Sequence, residues 1–132
     1  MRKLVLFGEG NFGPALLESA LTISNGQADA DTFALDGTDV LKFRRNFESV
    51  CNTVYNKDSL LLLSDLSTSS VSQEAWLVLE KRDLLNRMLF VSGASVPTVM
   101  AALAYKDEVE TDEELMKVLG AQTKSSLIFF GS

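Results

Sequence analysis

Short apolar runs alternate with longer amphipathic stretches along this chain. Leu4-Val5-Leu6-Phe7 shows no polar alternation and ends at a glycine, which predicts a parallel strand covered on both faces, beginning at Lys3. Gly13-Pro14 then offers a cap and a first helical residue. Leu16, Leu17, Ala20, Leu21 and Ser24 follow at helical spacing until Asn25-Gly26 stops the helix. Thr32-Phe33-Ala34-Leu35 predicts a second strand, closed by Asp36-Gly37. Thr38-Asp39 opens a second helix, whose apolar face is Phe43, Phe47, Val50, Cys51 and Val54.

Leu60 to Leu63 predicts a third, central strand that ends in Ser64-Asp65. Val71, Ala75, Val78, Leu79 and Arg82 trace a third helix, with Trp76 beside the stripe and half-packed on the sheet. Met88-Leu89-Phe90-Val91 predicts a fourth strand, followed by a helix from about Ser95 to Tyr105 with Pro97 near its start. An acidic helix carrying Leu115, Val118 and Leu119 is expected to end at Gly120, and Leu127-Ile128-Phe129-Phe130 has the character of a last strand. The order is βαβαβαβααβ. This predicts an α/β fold, a doubly wound three-layer domain over residues 1–132, with a mostly parallel central sheet of order about 2-1-3-4 and a C-terminal edge strand.

Composition narrows the chemistry. Among 132 residues there is no histidine and one cysteine, so a Ser-His-Asp site, a Cys-His site and a His-based metal site are all excluded. Cys51 lies on a core face and reads as a small buried hydrophobe. A lone cysteine, the lack of a basic leader and the lack of any apolar run near the roughly 20 residues of a bilayer span point to a cytoplasmic protein without direct membrane insertion. The net charge is −6, with six acids between Asp107 and Glu114. Lys42-Arg44-Arg45 and Lys81-Arg82 are too small a basic surface for a phosphate backbone, so no nucleic acid is expected. Thr111-Asp112-Glu113-Glu114 has the form of a capping box, which accounts for much of the acidic run.

In a sheet of this order ligands bind beyond the carboxyl ends of the strands, where strand order reverses. Glu9 and Asp65 approach each other there, and three loops converge: Gly8 to Gly13, Asp65 to Ser70, and Ser92 to Val96. Gly8-Glu9-Gly10-Asn11-Phe12-Gly13 is a literal G-x-G-x-x-G between a strand and a helix. One reading is therefore a small dinucleotide-binding Rossmann-like module using Gly8, Gly10 and Gly13. Against it, Glu9 and Phe12 would flank a pyrophosphate, and Asp36 stands 23 residues beyond Gly13. A phospho-accepting receiver is a further reading, but it needs a second acid beside Glu9 and a lysine at the carboxyl end of the last strand. Lys124 precedes that strand.

The same residues resemble the IIA components of the mannose, fructose and sorbose class of the bacterial phosphoenolpyruvate-dependent sugar phosphotransferase system, over essentially the whole chain. Members open with a strand running into a small-His-Gly-x-Phe loop, where this chain has Gly8-Glu9-Gly10-Asn11-Phe12. Their Asp-Leu-Phe-Gly-Gly-Ser-Pro stretch corresponds to Asp65-Leu66-Ser67-Thr68-Ser69-Ser70-Val71. Their Gly-Val-Asn-Leu-Pro-like turn corresponds to Gly93-Ala94-Ser95-Val96-Pro97.

The resemblance implies a phosphoryl relay from the histidine phosphocarrier protein to a IIB subunit, with the acceptor histidine at Glu9 and an orienting aspartate at Asp65. It also implies a homodimer in which the terminal strand crosses to the partner. No cofactor or metal is implied. Because the acceptor is replaced by Glu9, the expectation is a carbohydrate-uptake component unable to accept phosphate itself, and so regulatory or degenerate, docking on system partners or on a regulatory protein. Gly8, Gly10, Asn11, Ser67, Thr68, Ser69 and Ser70 form the candidate phosphate- or partner-binding loops. Three roles stay open for Glu9: an exposed remnant, a permanent charge in place of phosphohistidine, or half of a carboxylate pair with Asp65 that shares a proton or holds a hard cation. The four hydroxyl residues would either bind an anion or cap the third helix.

Overall fold

The computed structural model of the chain describes residues 1–131; Ser132, the last residue of the expected domain, lies outside the described residues. The elements are β1 (Arg2–Phe7), α1 (Phe12–Ser24), β2 (Thr32–Ala34), α2 (Val40–Cys51), β3 (Ser59–Ser64), α3 (Ser70–Lys81), β4 (Met88–Val91), α4 (Val96–Tyr105) and α5 (Asp112–Ser125). The strands form an all-parallel sheet of order β2-β1-β3-β4. Strand order reverses between β1 and β3, so the crevice between the loops that follow them is where ligands meet such a sheet.

Both faces of β1 and β3 are covered, which explains their unbroken apolar runs. On one face Val5, Phe7, Leu60 and Leu62 pack against α2 and α3, through Phe43, Phe47, Val71, Ala75 and Leu79. Phe43 and Phe47 stack at 5.6 Å between ring centroids, and Phe7 meets Phe43 at 5.4 Å. On the other face Leu4, Leu6, Leu61 and Leu63 pack against α1, α4 and α5, through Ala20, Val99, Ala102, Leu115 and Leu119. Cys51 is buried in the first cluster, and burial pushes its thiol up to about 11, against the opposing pull of Arg82. Trp76 is partly exposed, with its ring edge-on to Phe90.

Sequence spacing placed most boundaries well. Asp39 caps α2 by accepting from the backbone N–H groups of Leu41 and Lys42, and Thr111 caps α5 by accepting from that of Glu114. Ser95 caps α4 in a capping box with Thr98. The helix after β1 starts at Phe12, ahead of the expected Gly13-Pro14.

Two expectations are corrected. Gly120 does not end α5, which continues to Ser125. The residues after it are tolerated in helix, and the Thr123 hydroxyl pairs with that of Thr98 at 2.6 Å, which ties the extension to α4. The C-terminal edge strand is also absent: Leu127 to Phe130 forms no strand within this chain, and all four side chains are exposed. High strand propensity makes a strand only beside an open edge that accepts its hydrogen bonds, and this segment has no such pairing in its own chain.

Candidate functional site

The crevice is built on close backbone approaches. Gly8 is buried, and a Cβ there would fall 2.7 Å from the carboxyl carbon of Asp65 and 2.8 Å from the Phe12 ring. Gly10 adopts φ +59°, the left-handed turn that favours glycine, and its carbonyl accepts the N–H of Gly37 at 2.8 Å. A Cβ on Gly13 would lie 2.5 Å from the carbonyl oxygen of Leu6. The three glycines of the G-x-G-x-x-G are thus required by a carboxylate, a turn and a helix packed on a strand. The space beside Gly8 that a pyrophosphate would need is filled by Asp65, and Asp36 is held by the N–H and hydroxyl of Thr38 at 2.7 and 2.5 Å. Nothing in this geometry favours dinucleotide binding.

Asp65 joins the loops after β1 and β3. Its Oδ2 accepts the backbone N–H of Glu9 at 2.9 Å. Its Oδ1 accepts the N–H of Leu66 at 2.7 Å and the hydroxyls of Ser69 and Ser64 at 2.9 and 3.1 Å. Partial burial raises its pKa, but these donors outweigh burial and hold the carboxyl below its ordinary value. Behind it, the buried hydroxyls of Ser64 and Ser72 are hydrogen-bonded to each other.

Glu9 is exposed, yet its carboxylate is anchored. Oε1 accepts the N–H of Ser70 at 2.7 Å, the hydroxyl of Ser70 at 2.5 Å and, more weakly, the N–H of Val71 at 3.4 Å. Ser70 and Val71 are the first two residues of α3, so the anion sits on unsatisfied amides at the positive end of a helix dipole. The Ser70 hydroxyl contributes most to depressing its pKa, and the two N–H groups add to it, against desolvation and the charge of Asp65. Ser69, not Ser70, is the ordinary cap of α3, accepting the N–H of Ser72 at 3.2 Å.

Of the sequence candidates, Gly8, Glu9, Gly10, Asp65, Ser69 and Ser70 come together. Asn11 is exposed and makes no side-chain cap on α1, Ser67 gives its N–H to the Ser92 hydroxyl at 2.8 Å, and the Thr68 carbonyl accepts from Gln73. The geometry does not favour the carboxylate-pair reading. Asp65 faces the backbone N–H of Glu9, both carboxyls are shifted downward, and a shared proton would require one of them raised. Among the described residues no group of three or more His, Cys, Asp or Glu side chains could hold a metal ion. Sequence reasoning missed Gly37, Ser64 and Ser72. For Gly37 the only signal was a strand-ending Asp-Gly, which carries no information about its distant neighbour.

The site therefore has no imidazole. What it offers is a carboxylate, anchored on a helix N-terminus at the sheet's switch point, with exposed Leu66 and Asn11 beside it.

The family model described as PTS system fructose IIA component matches residues 3–119. No curated protein matches the chain. Among solved structures, phosphotransferase system component EIIA from Streptococcus agalactiae superposes with TM-score 0.79 at 16% identity, covering 98% of this chain and 97% of that one. The mannose/sorbose-specific IIA subunit from Enterococcus faecalis gives TM-score 0.73 at 20% identity, covering 99% and 96%. The PTS IIA protein associated with the fucose utilization operon of Streptococcus pneumoniae gives 0.72 at 20%, covering 96% and 92%. These structural likenesses establish a shared fold. The sequence match, which runs from β1 through most of α5, establishes ancestry: the chain belongs to the PTS system fructose IIA component family.

Proposed function

We propose that this chain is a cytoplasmic IIA-type component of a sugar phosphotransferase system, a single mannose-type IIA-like domain over residues 1–132, that does not itself accept phosphate. Its role is regulatory or degenerate: it docks on the phosphocarrier protein, on a IIB subunit or on a regulatory protein. The observation that carries this reading is Glu9. It occupies the place that the family resemblance gives to the acceptor histidine, in a chain with no histidine at all, and its carboxylate is tied to α3. Asp65, the expected orienting group, accepts backbone and serine donors on its two oxygens. Incubating the protein with phosphoenolpyruvate, the first enzyme of the system and the phosphocarrier is expected to give no gain of a phosphoryl group by intact mass. Glu9→His is expected to gain one. Stable phosphorylation of the unaltered protein would overturn the reading.

The partner set includes a second copy of this chain. Among the described residues β4 is a sheet edge with no strand beyond it, flanked by two apolar grooves. One, of about 790 Å³, runs between β4, α4 and α5, and the other, of about 700 Å³, lies between β4 and the Trp76–Leu77 face of α3. Alternate residues of an added strand project to opposite faces, so a partner's Leu127-to-Phe130 segment would supply apolar side chains to both grooves at once. Exposed Ile128, Phe129 and Phe130 would otherwise stay in water. Light scattering is expected to report a dimer for the full chain and a monomer for a chain ending at Ser126. A full chain that stays monomeric at high concentration would refute the dimer.

A further inference from the structure

We propose that this chain reads the phosphorylation state of its partner and selects the unphosphorylated form, because the anchored Glu9 carboxylate denies an incoming phosphoryl group both the charge and the hydrogen-bond donors it would need. The inference rests on the docking role proposed above.

Two features of the crevice oppose a phosphoryl group independently. The first is occupancy. The donors at the start of α3 that could receive an anion are the N–H groups of Ser70 and Val71 and the Ser70 hydroxyl, and Glu9 Oε1 takes all three. A phosphoryl group can use them only by expelling a carboxylate that arrives from a loop sixty-one positions away in sequence and is itself held by Asp65 through its backbone N–H. The second is charge. Glu9 is exposed, Asp65 lies behind it, and exposed Asp36 and Asp39 stand on the neighbouring loop that Gly37 joins to Gly10. The depressed pKa of Glu9, Asp36 and Asp65 keeps these three ionised at neutral pH, and Lys42, near enough to Asp36 to help lower its pKa, offsets only one of these charges.

A phosphoryl group carries about −1.5 to −2 charges, so a partner loaded with one meets like charge at the rim. The same partner without it meets Leu66 and Asn11, exposed beside an anion that attracts basic and hydrogen-bond-donating groups. The chain would thus associate when the system's proteins are unphosphorylated and release them as they become loaded. This behaviour follows from a carboxylate that never leaves, whereas an exchangeable phosphoryl group would switch the preference with each turnover.

The test is calorimetric titration of the full chain with the phosphocarrier protein and with the IIB subunit, each in its unphosphorylated and phosphorylated form, at one ionic strength. At least one of the two is expected to bind about tenfold more tightly when unphosphorylated, a difference of about 1.4 kcal/mol. Glu9→Gln keeps an acceptor oxygen for Ser70 and Val71 and removes only the charge, and it is expected to narrow that ratio to about threefold or less. Raising the salt concentration is expected to narrow it as well, because the rim charges are exposed. Equal affinity for the two forms, tighter binding of the phosphorylated form, or a ratio unchanged in Glu9→Gln would overturn the inference while leaving the docking role intact. Binding of neither protein in either form would overturn the docking role itself.

Discussion

Lys106→Ala is expected to lower the unfolding free energy by about 2–4 kcal/mol, read as a fall in the denaturant midpoint at unchanged slope. Lys106 ends α4 at the pole of the sheet opposite the crevice, and only 1% of its surface is exposed. Its ammonium reaches Asp107 at 2.6 Å, Asp29 at 2.9 Å and the carbonyl oxygen of Arg2 at 3.2 Å. Arg2, also buried, spreads its guanidinium over the carbonyls of Lys106, Val109 and Glu110 and the carboxylate of Asp112. Together they fasten the α4–α5 loop to the start of β1.

Removing the lysine forfeits its buried stem, two hydrogen bonds and the ion pair with Asp29. The carboxylates left behind are each about half exposed and regain water, which keeps the cost below that of a stranded buried charge. Lys106→Met retains the stem and is expected to cost about half as much; equal losses would assign the effect to the charge alone.

The pH dependence has a definite sign. Burial pulls the Lys106 pKa down, but Asp107 and Asp29 outweigh it and the net shift is upward. Its stabilisation is therefore complete below the unfolded lysine value of roughly 10.4 and is lost as pH rises through the higher folded value. The pKa values of Asp29 and Asp107 are lowered, so their contribution is present above roughly 3.9 and fades as pH falls through their folded values. Lys106→Ala should flatten both limbs of the stability profile.

Gly37→Ala is expected to cost about 3 kcal/mol and to release Glu9 from α3. Its backbone needs no left-handed conformation, so alanine is intrinsically acceptable there. The obstacle is contact: an added Cβ collides with the carbonyl oxygen of Gly8 and comes within 3.0 Å of the Val71 side chain. A backbone atom cannot rotate away, so the Gly8–Gly10 segment must shift, which places the effect at the upper end of overpacking costs. That segment carries the N–H of Glu9 that Asp65 holds, and amide exchange at Glu9 and Ser70 should accelerate together. Gly120→Ala, in the middle of α5 with nothing within 4 Å of the new methyl group, should instead stabilise by about 0.5–1 kcal/mol. A Gly37→Ala protein as stable as the parent would show that the loop junction is not under this constraint.

Much of this was legible in the chain itself. Continuous apolar runs at Leu4 to Phe7 and Leu60 to Leu63 announced central parallel strands, and Asp39, Ser95 and Thr111 announced helix starts by chemistry confined to one turn. These signals are local, and local physics realised them. The acidic run was only partly legible. Its capping role is visible in sequence, while Asp107 and Asp112 serve Lys106 and Arg2, and no short-range pattern links position 2 to position 112.

The last apolar run misled for a related reason. Strand propensity resides in the residues, but a strand requires pairing with an edge, and within this chain Leu127 to Phe130 pairs with none.

The sequence by itself determined the layers, the strand order and the place where the crevice lies, because burial periodicity and right-handed crossovers leave few alternatives. It also determined that no histidine could stand there. Only the tertiary structure decided what Glu9 does in that place. The carboxylate could have hung in solvent or paired with Asp65. Instead, the close packing of Gly8, Gly13 and Gly37 brings the β1 loop against α3, where two unsatisfied amides and a hydroxyl accommodate an anion better than water does. Which donors meet which acceptor across sixty residues is set by how the chain packs, and that is not written in any one segment of it.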